Sequence, residues 1–157
     1  MTRSSFLLNI ILCCLGATLF VSCQDGLFFV EYKDVSAEQW ENEDTFVYRL
    51  PVSADDKDVA VSLGVRTKST IPSRKLTVRV EQCRDARCVR TQRVTIEMYT
   101  KEGYPQGHGF PHVDYASPPF SLHLKKGVPY TLRVAHIMRQ NPLEGIYQVG
   151  VMVEDVR

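Results

Sequence analysis

An all-β fold is predicted here: a single antiparallel β-sandwich, jelly-roll or immunoglobulin-like, of about eight strands following an apolar leader. Three observations predict it. Apolar and polar residues alternate with a period of two in segment after segment, while no segment holds a helical period. The segments are rich in Val, Ile, Thr, Tyr and Phe, and short runs of Gly, Pro, Asn and Asp separate them. Once the first 22 residues are set aside, the remaining 135 of 157 are enough for one domain with its own core.

The leader comes first in the chain. Arg3 gives a positive start, Phe6 to Val21 form an apolar run, and Ser22 places a small residue directly before Cys23. This is the pattern of a bacterial lipoprotein signal peptide over residues 1–22, with Cys23 as the lipid-attachment residue and first residue of the mature domain, 23–157. The apolar run is signal-like in length and shorter than the roughly 20 residues that cross a bilayer. Cys13 and Cys14 are poorer cleavage positions, one preceded by bulky Leu12 and the other by Cys13. Phe20, where such signals usually carry Leu, is a departure, and ordinary secretion with cleavage near Ser22 is the alternative. Each buried methylene of an attached acyl chain is worth about 0.8 kcal/mol, so several chains make a permanent anchor.

The strands follow in order: Leu27 to Tyr32, Thr45 to Val52, Val59 to Arg66, Lys75 to Cys83, Cys88 to Glu97, Phe120 to Leu124, Tyr130 to Met138 and Ile146 to Glu154. Val59, Val61, Leu63 and Val65 give one strand a core face, and Val149, Val151 and Val153 give another. Leu132, Val134 and His136 do the same for a third. At roughly 1.5 to 3 kcal/mol for each buried side chain, this patterning outweighs local propensity. Ser36 to Trp40 is the one expected helical turn, with Ser36 as its cap and Trp40, the single tryptophan, plugging the core edge. From Met98 to Phe120 the alternation stops among glycines and prolines, which predicts one long irregular loop. Tyr99, Tyr104, Phe110 and Tyr115 lie in it, either as a surface for a sugar or partner or folded back as a small second core.

Cys83 and Cys88 flank Arg84-Asp85-Ala86-Arg87, which reads as a four-residue hairpin loop. A hairpin sets the two cysteines opposite each other, and an exported protein meets an oxidising compartment, so a disulfide is expected. Zinc is the rival use, but two cysteines without further ligands do not complete a tetrahedral site; two free thiols are the other rival. His108 and His112 cannot share a helical metal face, because Gly109 and Pro111 intervene. His123 and His136 fall on strands, where a hydrogen-bonded histidine is the ordinary explanation.

Charge excludes further classes. Arg3 is the leader's only charged residue, so 18 basic groups balance 18 acidic ones in the mature chain. No basic face stands out and nucleic acid is not an expected partner; Arg84, Arg87, Arg90 and Arg93 are diluted by Glu81 and Asp85 around a turn. Nucleophile motifs, phosphate loops, paired carboxylates and metal-ligand motifs do not appear, so neither an enzyme, a metal nor a cofactor is expected.

The C-terminal run from His136 to Glu154 resembles the ending of the GldH family, gliding-motility lipoproteins of the Bacteroidetes. The matching pieces are Met138-Arg139, then Leu143-Glu144-Gly145-Ile146, then Val149-Gly150 opening the last strand. Phe28-Phe29-Val30-Glu31-Tyr32-Lys33, Trp40 and the glycines at 107 and 109 agree as well, whereas the Cys83/Cys88 pair and the proline-rich segment after Tyr104 depart from the family pattern. The resemblance implies a β-rich, non-enzymatic lipoprotein on an envelope membrane, working with other envelope proteins in gliding and type IX secretion; attachment to the outer membrane is expected. Which face of the membrane it occupies stays open. Arg139, Glu144, Tyr104, Phe110 and Tyr115 are the candidate partner-binding residues. The alternative function is a surface lipoprotein binding glycans through Tyr104, Phe110 and Tyr115, which requires those rings side by side and exposed. A hydrolase would need two buried carboxylates about 5 to 9 Å apart.

Overall fold

The computed structural model describes residues 27–68, 71 and 73–156; the leader and Cys23 lie outside the described residues. Eleven strands and one 3-10 turn are present: β1 (Leu27–Asp34), β2 (Gln39–Trp40), β3 (Phe46–Arg49), β4 (Lys57–Thr67), β5 (Lys75–Arg84), β6 (Arg87–Glu97), β7 (Val113–Ala116), β8 (Phe120–Leu124), β9 (Thr131–His136), β10 (Leu143–Glu144) and β11 (Ile146–Asp155). All eight expected strands are there, with ends shifted by a few residues. The three additions are short, and β2 and β10, two residues each, carry no periodicity that could be read.

One sheet runs β1-β11-β4-β7, with β8 also paired to β4, and the second runs β3-β9-β5-β6. Every pairing in both is antiparallel. Except for the β5–β6 hairpin, the chain crosses from one sheet to the other between successive long strands, and the first and last strands lie side by side. That is the jelly-roll arrangement, which settles the choice left between jelly roll and immunoglobulin-like.

The core lies between the sheets. Val59, Val61, Leu63 and Val65 of β4, Val149, Val151 and Val153 of β11, Leu76, Val78 and Val80 of β5, and Leu132 and Val134 of β9 are buried. Tyr48 of β3 crosses the gap and donates its hydroxyl to the Val149 carbonyl of β11 at 2.7 Å. Burial pushes the Tyr48 phenol up from its ordinary pKa, so it stays a donor.

The expected single loop after Met98 is broken by β7. Val113–Ala116 continues the edge that β8 begins, pairing with Gly64–Thr67 of β4 while β8 pairs with Lys57–Val61. Ser117 bridges the gap: its backbone N–H donates to the Leu63 carbonyl at 2.8 Å, and its hydroxyl accepts from the Leu63 N–H at 3.0 Å. Pro118 and Pro119 then occupy an outer edge, where a missing N–H costs no ladder bond.

Two local expectations are corrected. The turn after β1 is a 3-10 turn over Ser36–Glu38 preceded by Val35, without a side-chain cap, so Ser36 caps nothing; Ala37 and Glu38 have positive φ, which ends the turn at once. The β5–β6 hairpin loop is two residues, not four, because Arg84 pairs with Arg87 and only Asp85 and Ala86 remain, both at positive φ. That is the conformation whose twist matches paired strands.

His136 is buried between Trp40 and the start of the turn after β9. The Met138 N–H donates to its Nδ1 at 3.3 Å, leaving Nε2–H to donate to the Trp40 carbonyl at 3.0 Å. Desolvation lowers its pKa despite the carbonyl that favours the cation. Below the ordinary histidine pKa of about 6.5, the unfolded chain therefore takes up a proton that the folded chain refuses. Stability from this residue is complete above about pH 6.5 and falls as pH drops from there toward the lowered folded value. Denaturant midpoints at pH 7.5 and pH 5.5 should differ in that direction, and His136→Leu should flatten the difference.

Candidate functional site: the distal end of the five-stranded sheet

The two ends of the sandwich differ. The end carrying Leu27, Lys57 and Leu124 is where the chain enters from Cys23. The opposite, distal end carries Asp34, Thr67, Val113 and Ile146, and all the candidate partner-binding residues lie at or beyond it.

On the outer face of the five-stranded sheet, side chains opposite the core face outward: Tyr32 and Asp34 of β1, Gln148 and Gly150 of β11, Gly64 and Arg66 of β4, and Asp114 of β7. The registers Tyr32↔Gly150↔Gly64 and Asp34↔Gln148↔Arg66↔Asp114 place them in two adjoining rows. In the second row Gln148 Nε2 donates to Asp34 Oδ1 at 2.7 Å, Arg66 Nη1 donates to Gln148 Oε1 at 2.8 Å, and Arg66 Nε lies 3.3 Å from Asp114 Oδ1. In the first row the Tyr32 ring lies flat over both glycines. A Cβ on Gly150 would sit 2.5 Å from the ring and one on Gly64 would sit 2.2 Å from the hydroxyl, so glycine at both positions is what lets the ring lie down. The Arg66 guanidinium then stacks on the ring, 4.1 Å from its centroid. This burial raises the Tyr32 pKa, the nearby Arg66 charge opposing it. The result is a flat, pre-ordered polar patch spanning four strands.

The aromatic loop adjoins it. The His112 ring packs at a tilt against Tyr147, 4.5 Å between centroids, and the His108 and Asp114 backbones bond reciprocally at 3.0 and 2.8 Å. Beyond these contacts, Tyr104 is 70% exposed and Phe110 93% exposed. Tyr115 is corrected: it sits on β7 pointing inward, only 4% exposed, with its ring 6.5 Å from that of Tyr99. Burial, with Tyr99 as a lesser cause, pushes its pKa up to about 12. The three rings do not form one platform, since strand alternation turns Tyr115 into the core.

Arg139 and Glu144 are exposed, and the residues between them hold the turn together. Leu143 pairs with Trp40, the Asn141 side chain accepts from the Asn42 N–H at 2.8 Å, and Gly145, at φ +82°, donates to the Glu38 carbonyl at 3.0 Å and accepts from the Lys68 N–H at 2.9 Å. The motif from Met138 to Ile146 is therefore mainly a clasp closing the distal end over Trp40. Glu144 and Gln140 border a narrow apolar crevice with Met98, Met138 and Leu143.

The model of the family described as GldH lipoprotein matches residues 28–153. The chain belongs to the GldH lipoprotein family. No curated protein matches it. Among solved structures, the Eiger TNF of S. frugiperda is similar over 83% of this chain and 96% of its own, at 10% identity and a TM-score of 0.31, too weak to inform fold or function.

In this GldH-family chain, Cys83 and Cys88 sit directly opposite each other at the end of the β5–β6 hairpin and are joined by a disulfide. Glu81 is beside them, its carboxylate 4.0 Å from Cys88 Sγ. Among the described residues no Asp or Glu is buried, so the buried carboxylate pair that a hydrolase would need is not found there. The patch of Tyr32, Asp34, Arg66, Asp114 and Gln148 escaped sequence reasoning because its members come from four strands. Its one local signal was a glycine inside each of two strands.

Proposed function

We propose that this chain is a non-enzymatic accessory of the gliding and type IX secretion machinery. It is tethered to the outer membrane through Cys23 and docks onto another envelope protein. The observation that supports this most is the family match across nearly the whole sandwich, joined to a distal end that presents an ordered polar patch beside the exposed Tyr104 and Phe110. Aromatic side chains at the centre of a contact, rimmed by polar groups, suit a protein partner. Glycan binding loses support because only two of its three rings are exposed.

The test is genetic. Deletion should reduce secretion of type IX cargo and colony spreading, and a wild-type copy should restore both. A copy with Cys23→Ala should restore neither, and one with Tyr104→Ser and Phe110→Ser should accumulate normally yet restore little. A deletion that leaves both phenotypes unchanged would end the machinery assignment.

A further inference from the structure

The balanced total charge conceals a strong asymmetry between the two outer faces. On the outer face of the second sheet, between the hairpin tip and the Lys75–Glu97 pair at the distal end, the charged residues are Arg49 of β3, Arg133 of β9, Arg79 and Glu81 of β5, and Arg93 of β6, among Thr77, Thr91, Thr95 and Thr131. Four arginines against one glutamate leave three net positive charges. On the first sheet Asp34, Asp58, Asp114 and Glu154 face outward against Arg66, with His123 2.9 Å from Asp58, the reverse imbalance.

The basic face is not built for stability. Arg79 stands directly opposite Arg93, a like-charge pair that destabilises a sheet. The Glu81 carboxylate is divided between Arg79 at 3.1 Å and Arg133 at 3.8 Å, and Arg49 and Arg93 have no ion pair among the described residues. Lys75 and Glu97, at the distal end of this face, pair with each other at 2.5 Å.

The face also begins at the tether. Arg49 pairs with Thr131, Thr131 with Cys83, and Arg84 with Arg87 at the hairpin tip, all at the end of the sandwich where Leu27 enters. Arg49 and Val47 border a surface cleft with Glu31 and Lys33 of β1, so the strand leading from the anchor runs along the edge of the basic sheet. Cys23 is four residues before Leu27, a reach of at most about 14 Å. We propose that the outer face of the β3-β9-β5-β6 sheet lies on anionic phospholipid headgroups of the membrane that holds the tether. The acidic sheet and the distal loop are then turned toward the partner. The placement rests on the Cys23 tether proposed above; the charge of the face does not.

Every strand and core residue among the described residues lies between Leu27 and Asp155, so a chain beginning at Gln24 keeps them all and has no lipid of its own. Its co-sedimentation with vesicles tests the face apart from the tether. It should bind phosphatidylcholine vesicles doped with phosphatidylglycerol and ignore pure phosphatidylcholine. Raising salt from about 0.1 to about 1 M, which shortens the screening length from about 10 to about 3 Å, should release it. Replacing Arg49, Arg79, Arg93 and Arg133 together by Gln should weaken binding roughly 100-fold or more, and Glu81→Gln should tighten it roughly five-fold. The second change moves binding upward, which a misfolded variant would not do. Wild-type binding by the quadruple variant overturns the proposal, as does equal binding to neutral vesicles. So does salt-sensitive self-association in solution without vesicle binding, which would seat the acidic face of a second copy there. Tight binding to polygalacturonate with none to the vesicles would assign the face to an anionic glycan and overturn it equally.

Discussion

Replacing Trp40 by Ala should cost about 3 to 5 kcal/mol, the largest effect of any single change considered for this fold. Trp40 is 0% exposed, meets Phe46 edge-on at 5.5 Å and His136 at 5.2 Å, and donates its indole N–H to the Asp44 carbonyl at 3.1 Å. Its own carbonyl accepts from His136, and its strand pairs with Leu143 of the clasp. Truncation would leave a cavity at the distal end while keeping those backbone bonds, so the loss is one of packing. Domains have about 5 to 15 kcal/mol in total, so the variant should unfold at a much lower denaturant concentration or fail to accumulate. Trp40→Phe, which keeps most of the volume, should cost clearly less; equal losses would mean that the site depends on the indole hydrogen bond instead.

The second large effect is expected at Gly150. A Cβ there meets the Cδ1, Cε1 and Cγ atoms of Tyr32 at 2.5 to 2.7 Å, so Gly150→Val must lift the ring off the sheet and with it the Arg66 stack. Overpacking of this kind costs about 1 to 3 kcal/mol, even though Val suits a strand better than Gly does. Combining it with Tyr32→Ser removes the obstacle, so the pair should be less destabilised than the two single losses added together. Additive losses would show that the glycines serve some purpose other than seating Tyr32. Because the change dismantles the outer patch without touching the core, it should also weaken partner function more than its stability cost explains.

How far these features could be read in advance depended on their range. Strands such as β4 and β11 announced themselves because Val59, Val61, Leu63, Val65 and Val149, Val151, Val153 repeat with the period of a pleated sheet, and burial of those residues dominates the energetics. β7 was hidden because only Val113 and Tyr115 carry its pattern and prolines surround it; its partner, Gly64 to Thr67, is some 50 residues away. Tyr115 misled for the same reason, since a ring's orientation depends on whether its residue joins a strand. The hairpin loop shrank to Asp85 and Ala86 because tolerance of positive φ, not residue count, fixed the turn. The two opposed charged faces were invisible in a sum near zero; they emerge only when the registers bring Arg79, Arg93 and Arg133 onto one side.

The central proposal is that this jelly roll works at the membrane because an acylated Cys23 holds it there. Growing cells with an alkyne-bearing fatty acid and coupling the recovered protein to a fluorophore tests it most directly. The account predicts a labelled, membrane-associated mature chain whose label disappears in Cys23→Ala. A wild-type protein that carries no label, or that keeps its label when Cys23 is replaced, would contradict it.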